Sequence, residues 1–305
     1  MRRGLERWVK WAGLSWLVWR LLGPDLQPRF TGPQTRPLDI GGRVVRVGRS
    51  ELFVREAGSS DAPPLVLVHG WSFDGEMNFY RVIPGLAEHF RVIVIDQRGH
   101  GKSDRVRGRF EVEDLADELG GALDVMGVSG ATVVGYSLGG MVAQALALRH
   151  PAKVKRLVLA ATAAQPVLFA RPVVRLVFWL ARAVARISTK EMAYATFTLL
   201  RRSGILASNH EAWMWENLRH RDPTLYYEAG HAAWRFDSRS WVGKLQVPVL
   251  AIVTTADQIV LPAAQRVLVA SLANPEVAEL VGARHESILE RPDEYVRLIT
   301  AFAKR

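Results

Sequence analysis

Short apolar runs rich in β-branched residues, most of them followed by a helical pattern, constrain this 305-residue chain more than any other feature. The runs are Leu65–Val68, Val92–Ile95, Thr132–Gly135, Leu157–Leu159 and Val249–Val253. Helical periodicity follows at Phe79–His89, Val112–Met126, Leu138–His150, Ala263–Leu272 and Asp293–Ala303. Strands that are apolar on both faces must be covered on both faces, and helical crossovers do that covering in a parallel sheet. The expected class is therefore α/β, with a mostly parallel central sheet and helices on both sides. Val44–Val47 and Glu51–Glu56 flank a turn at Gly48 and read as a hairpin, and Val277–Val281 reads as a last strand.

Residues 166–240 interrupt the alternation with several helical patterns and no strand, which marks a helical insertion between two strands of the sheet. The expected organisation is a Trp-rich basic helix and linker at 1–41, a catalytic domain at 42–165 and 241–305, and a helical cap at 166–240. A hydrophobic content of 49% excludes disorder as the main state. The absence of cysteine excludes disulfides, thiolate zinc sites, iron–sulfur clusters and a cysteine nucleophile.

The chemistry starts at Gly135-Tyr136-Ser137-Leu138-Gly139-Gly140, which follows the strand ATVVG and opens the helix MVAQALALRH. A serine on a sharp strand-to-helix turn needs small neighbours because strand and helix pass close together there. The helix N-terminus beneath its hydroxyl favours developing negative charge. A serine hydroxyl needs a base and an orienting acid to become nucleophilic. His285 lies just after the last strand and Asp257 just after the strand VPVLAIV. Both positions belong to the carboxyl edge of a parallel sheet, where open α/β sheets place their sites. Gly70, after Leu65–Val68, lets a backbone N–H turn toward the same place; with the N–H of Leu138 it makes a two-donor oxyanion hole, about 3–4 kcal/mol per donor.

These motifs resemble those of the α/β-hydrolases, in particular the esterase/lipase and cofactor-free haloperoxidase-like group. Asp96-Gln97-Arg98-Gly99-His100-Gly101-Lys102-Ser103 resembles the family's DxRGxGxS loop, and His285…Leu289-Glu290-Arg291-Pro292 its histidine region. The resemblance implies Ser137 as nucleophile, His285 as general base and then acid, Asp257 as its orienter, and the N–H groups of Trp71 and Leu138 as oxyanion donors. It makes Asp96 and Ser103 structural. Ser137 stands where epoxide hydrolases and haloalkane dehalogenases carry an aspartate, so alkyl-enzyme chemistry is excluded. The implied activity is hydrolysis of an apolar carboxylic ester, lipid-derived esters included, with no metal or organic cofactor. The rivals are a perhydrolase or acyltransferase using the same triad, and a silent hydrolase fold serving as a scaffold.

The net charge of +10 is concentrated in two segments: residues 1–49 carry ten basic and three acidic side chains, and residues 166–240 carry eleven and six. Arg171, Arg175, Arg182 and Arg186 fall within about 60° of one another on a helical wheel, among Val, Leu, Phe, Trp and Ala. Trp8, Trp11, Trp16 and Trp19 lie among basic residues near the start, and the uncharged run between Lys10 and Arg20 is only nine residues long. A bilayer span needs about 20 residues. Arginines set beside apolar and aromatic residues favour peripheral contact with anionic membrane over nucleic acid. Two alternatives stand beside lipid contact: the Trp-rich segment packing on the protein's own surface, and the arginine helix acting as a cap helix over the active site with its arginines in solvent. The expected location is cytoplasmic, with the membrane periphery as the alternative to free solution.

Overall fold

The computed structural model describes residues 26–165 and 189–305, except 39, 107, 109, 203, 205 and 206, together with residues 11, 15, 176, 179 and 180. Two expectations lie outside the described residues: the Trp-rich helix before Pro24, apart from Trp11 and Ser15, and the arginine face of 171–186.

Eight strands form one sheet: β1 Gly42–Val47, β2 Ser50–Ala57, β3 Pro64–Val68, β4 Arg91–Ile95, β5 Ala131–Tyr136, β6 Val154–Ala160, β7 Val249–Thr254 and β8 Glu276–Leu280. The spatial order is β1-β2-β4-β3-β5-β6-β7-β8. β1 and β2 form the expected antiparallel hairpin, β2 pairs antiparallel with β4, and every later pairing is parallel. The helices that position the site are α1 Gly75–Phe79, α2 Ile83–Ala87, α3 Val112–Val125, α4 Leu138–Arg149, α5 Thr189–Arg202, α6 Glu211–Arg219, α7 Pro223–Arg235, α8 Pro262–Ser271, α9 Ser287–Glu290 and α10 Pro292–Ala303.

Two cores, one on each face, follow from the two-residue period of the strands. Val66, Val68, Ile93, Ile95, Val133 and Leu157 point to the face covered by α3, α4 and α7. Leu65, Leu67, Val92, Val94, Val134 and Val158 point to the face covered by α2 and α10. The helical pattern at Phe79–His89 breaks into α1 and α2. Pro84 has no N–H, and its ring would meet the carbonyl of Tyr80 in a continuous helix. The last strand sits one residue earlier than the pattern suggests, leaving Val281 76% exposed.

Between β6 and β7 the regular elements among the described residues are all helical. α5 and α6 share a separate apolar cluster of Phe197, Leu200, Met214, Trp215 and Leu218, which also takes in Met77 of α1. Residues 29–36 lie across this layer. Phe30 packs edge-on to Phe197 at 6.2 Å, Thr35 N donates to Asn209 O at 2.7 Å, and Arg36 pairs with Glu76 at 2.7 Å.

Beneath the β4 loop, Arg55 is 1% exposed and pairs with Asp96 at 2.9 Å and Glu76 at 3.2 Å. Burial alone would lower the Arg55 pKa, but Asp96, Asp74 and Glu76 together raise it above the ordinary arginine value. Asp96 also accepts from Gly75 N and Lys102 N, both at 3.0 Å, while Ser103 Oγ donates to the Asp96 carbonyl. While Glu76 keeps Arg36, Arg55→Met leaves Asp96 buried without its cation. Its urea-unfolding free energy should fall by about 3–5 kcal/mol.

Candidate active site

Ser137 stands between β5 and α4 with φ 55° and ψ −120°, a strained backbone for a residue with a Cβ. Three glycines make this turn possible by close approach. A Cβ on Gly139 would lie 2.0 Å from the Val68 carbonyl oxygen, one on Gly135 2.5 Å from the Gly139 oxygen, and one on Gly140 2.5 Å from Thr162 Cγ2. The chain on the far side of the turn is fixed too, because Thr162 Oγ1 donates to the Ser137 carbonyl at 2.7 Å.

The loops after β7 and β8 bring Asp257 and His285 to the same edge. Asp257 is 2% exposed, and each of its oxygens is held. Oδ1 accepts from Ile259 N at 2.8 Å and Val260 N at 2.9 Å; Oδ2 accepts from Thr254 Oγ1 at 2.9 Å, Gln265 Nε2 at 3.2 Å and His285 Nδ1 at 2.8 Å. With Nδ1 as donor, the neutral imidazole keeps Nε2 as its acceptor. His285 Nε2 lies 3.0 Å from Ser137 Oγ, although the two residues are 148 apart in sequence. The structure thus brings Ser137, His285 and Asp257 into one line of hydrogen bonds.

The two oxyanion candidates flank the serine. A Cβ on Gly70 would lie 3.3 Å from Ser137 Cβ, so the Gly70–Trp71 backbone runs alongside it. Gly70 N is occupied by Asn78 Oδ1 at 2.7 Å, which fixes the path of the chain into Trp71. Leu138 is the first residue of α4, where backbone N–H groups have no partner within the helix.

Several supporting residues were not legible in the sequence. The Tyr136 hydroxyl donates to the His285 carbonyl. Burial pushes its pKa well above the ordinary tyrosine value, so it stays a donor. Ser287 lies between the hydroxyls of Tyr136 and Tyr295, at 3.4 and 2.7 Å. Gln265 donates to Thr254 Oγ1 and Val260 O and accepts from Thr254 N, locking the strand end that carries Asp257. From the helical layer, Tyr226 stacks on Trp71 at 4.7 Å and accepts a hydrogen bond from its indole Nε1 through the Tyr226 carbonyl. Arg221 donates to Ser72 O. No group of metal-ligating side chains occurs among the described residues.

The family model described as alpha/beta hydrolase fold matches residues 63–292. A pimeloyl-[acyl-carrier protein] methyl ester esterase from Chromobacterium violaceum is 32% identical over 260 residues, covering 81% of this chain and 96% of the relative. A bifunctional esterase/perhydrolase from Acinetobacter calcoaceticus is 33% identical over 115 residues, 36% of this chain and 40% of the relative. Among solved structures, the enol-lactonase from Burkholderia xenovorans LB400 superposes with a TM-score of 0.74 at 28% identity, over 86% of this chain and 100% of that one.

The crowding around the turn has a measurable consequence. Gly139→Ala places a methyl group against backbone, which cannot rotate away. Its thermal or urea stability should drop by at least about 2 kcal/mol, with loss of soluble yield.

Proposed function

Because the chain belongs to the alpha/beta hydrolase family, we propose that it is a serine hydrolase cleaving an apolar carboxylic ester through an acyl-enzyme. The observation that carries this reading is the unbroken hydrogen-bond line from Ser137 through His285 to Asp257. As Ser137 Oγ attacks the ester carbonyl, its proton passes to His285 Nε2. The new oxyanion accepts from the N–H groups of Trp71 and Leu138, which meet the charge where it develops. The imidazolium then returns the proton to the leaving alkoxide, and the alcohol departs. Water, deprotonated by the same nitrogen, cleaves the acyl-serine and releases the acid. Asp257, accepting five hydrogen bonds, holds the imidazole in place throughout. Similarity to an esterase/perhydrolase supports a second outcome at the last step, with peroxide in place of water. Analysis of the products with and without peroxide separates the two.

A fluorophosphonate probe should label the wild type and not Ser137→Ala. A panel of 4-nitrophenyl esters graded by acyl length should show kcat/KM lower by at least about 1,000-fold in Ser137→Ala and His285→Ala. Equal labelling of Ser137→Ala would sink the reading.

In the same reading, residues 166–240 form a cap and the chain works in the cytoplasm, against a membrane. No helix among the described residues is long and apolar enough to cross one. Leu176, Trp179 and Leu180 are helical and 56%, 59% and 48% exposed, and Trp11 is 63% exposed. They neighbour the basic stretches in sequence, a combination suited to the water–lipid boundary. Removing residues 1–25 leaves Phe30 on Phe197. The shortened chain should sediment less with phosphatidylserine vesicles while hydrolysing a soluble short-chain ester as before; undiminished sedimentation discards the contribution of this segment.

A further inference from the structure

A cavity of about 530 Å³ is lined in part by Tyr226, whose ring stacks on Trp71. Its wall begins at Ser72 and Phe73, one and two residues past Trp71. Two Cα steps of about 3.8 Å separate Ser72 from Gly70, the residue alongside Ser137. Phe73, Trp213 and Tyr226 give the cavity an aromatic surface, and Lys102, Arg105 and Arg221 give it charge.

The charge is out of balance. Among the described residues none of these three cations pairs with a carboxylate. Arg221 donates to Ser72 O and lies over the rings of Tyr226 and Phe73, at 5.2 and 5.9 Å. Arg105 donates to the carbonyls of His220 and Gly101. Lys102 lies over the Phe53 ring at 4.9 Å. The other charged groups of the lining are committed elsewhere. Glu216 pairs with Arg219 at 3.0 Å and with His220 at 3.7 Å, and Arg36 pairs with Glu76. Asp74 caps α1 by accepting from Met77 N, and burial together with the neighbouring Asp96 pushes its carboxyl up to about 7. His100 is held neutral by burial, its pKa near 3. A partly buried guanidinium with no carboxylate at ion-pair distance is costly, and burial draws the Arg221 pKa below the ordinary value against the opposing pull of Tyr226, Asp74 and Tyr227. An anion entering the cavity removes that cost.

We propose that this cavity binds an organic anion, its apolar body on Phe73, Trp213 and Tyr226 and its carboxylate or phosphate on Arg221, with Lys102 and Arg105 at the mouth. The anion has two possible sources: the far end of an acidic ester held at Ser137, or a free acid bound on its own. Binding stands independently of the hydrolase reading; only the first source rests on it.

The test uses the full chain. In Ser137→Ala, calorimetry compares hexanoate, hexyl phosphate and the neutral hexanamide. At least one of the anions should bind about tenfold or more tighter than the amide, the loss expected when a charged hydrogen bond is absent. That advantage should shrink with added salt. It should disappear in Arg221→Gln, and in Lys102→Gln/Arg105→Gln should Arg221→Gln not fold. The two anions distinguish carboxylate from phosphate. In the wild type, kcat/KM is compared for monomethyl and dimethyl esters of C6 to C10 dicarboxylic acids. A preference for the half-ester that falls about tenfold in the same variants assigns the site to the substrate's far end. Anion binding without that preference assigns it to a free acid. Anion affinities no greater than that of hexanamide, or an advantage unchanged in the variants, overturn the proposal. Anion binding in a chain that hydrolyses no ester leaves the site standing and removes the hydrolase reading.

Discussion

The start of α4 is wedged against β5 at Gly135, against the end of β3 at Gly139 and against Thr162 after β6 at Gly140, leaving no room for side chains there, and the rest of the site depends on that closeness. Van der Waals exclusion sets the geometry of the turn: strand and helix approach until backbone meets backbone, and the one residue with a Cβ at the apex adopts a positive φ. Its hydroxyl is held out from the sheet edge instead of folding back to cap the helix, and no side-chain cap bond forms there. Gly70 and the Val68 carbonyl come close to the same turn, so the β3 loop is registered against the serine by contact. The strain of one residue is maintained by the fit of several elements, as strained backbone at functional sites generally is.

Electrostatic order is built outward from this turn. Asp257 is buried, and both its oxygens are engaged by hydrogen-bond donors, as a buried polar group requires. As the acceptor facing Nδ1, its Oδ2 fixes which imidazole nitrogen carries the proton. The Tyr136 hydroxyl adds a mechanical tie, since it belongs to the residue just before the serine and grips the backbone of the histidine. Serine and histidine are therefore registered twice, once through side chains and once through the neighbouring tyrosine.

Much of this arrangement was legible in the residues. The central strands could be read because burial on both faces leaves continuous apolar runs, and β3 to β7 all lie where such runs occur; β1 and β2 were read from the turn at Gly48 between two short β-branched stretches. Ser137 could be read because its glycines are local to it. Asp257 and His285 could be read because each follows a strand, and parallel strands deliver their carboxyl ends to one edge. The break between α1 and α2 was also written locally, in Pro84, but the apolar spacing on either side masked it. The supports were not legible. Tyr136 reads as an ordinary strand residue, Gln265 as a helix-surface polar residue, and Arg221 as one more arginine in a basic stretch. Their roles arise from contacts spanning 149, 8 and 149 residues, for which a single sequence carries no local signal.

The helical layer leaves the sheet after β6 and returns at β7, its immediate parallel neighbour. In topological terms it is an enlarged detour between adjacent strands, so its length and shape can be rewritten over evolutionary time without shifting the register of any strand. Its contacts with the rest of the fold limit that freedom: α7 fills the core on one face of the sheet and α5 and α6 close over Met77. Tyr226 and Arg221 brace the short stretch Trp71–Ser72, and any replacement layer has to supply an equivalent brace or leave that stretch unsupported. Diversification of what such a scaffold accepts is thus wide in volume and constrained where the layer meets the sheet, nearest the site at Trp71–Ser72.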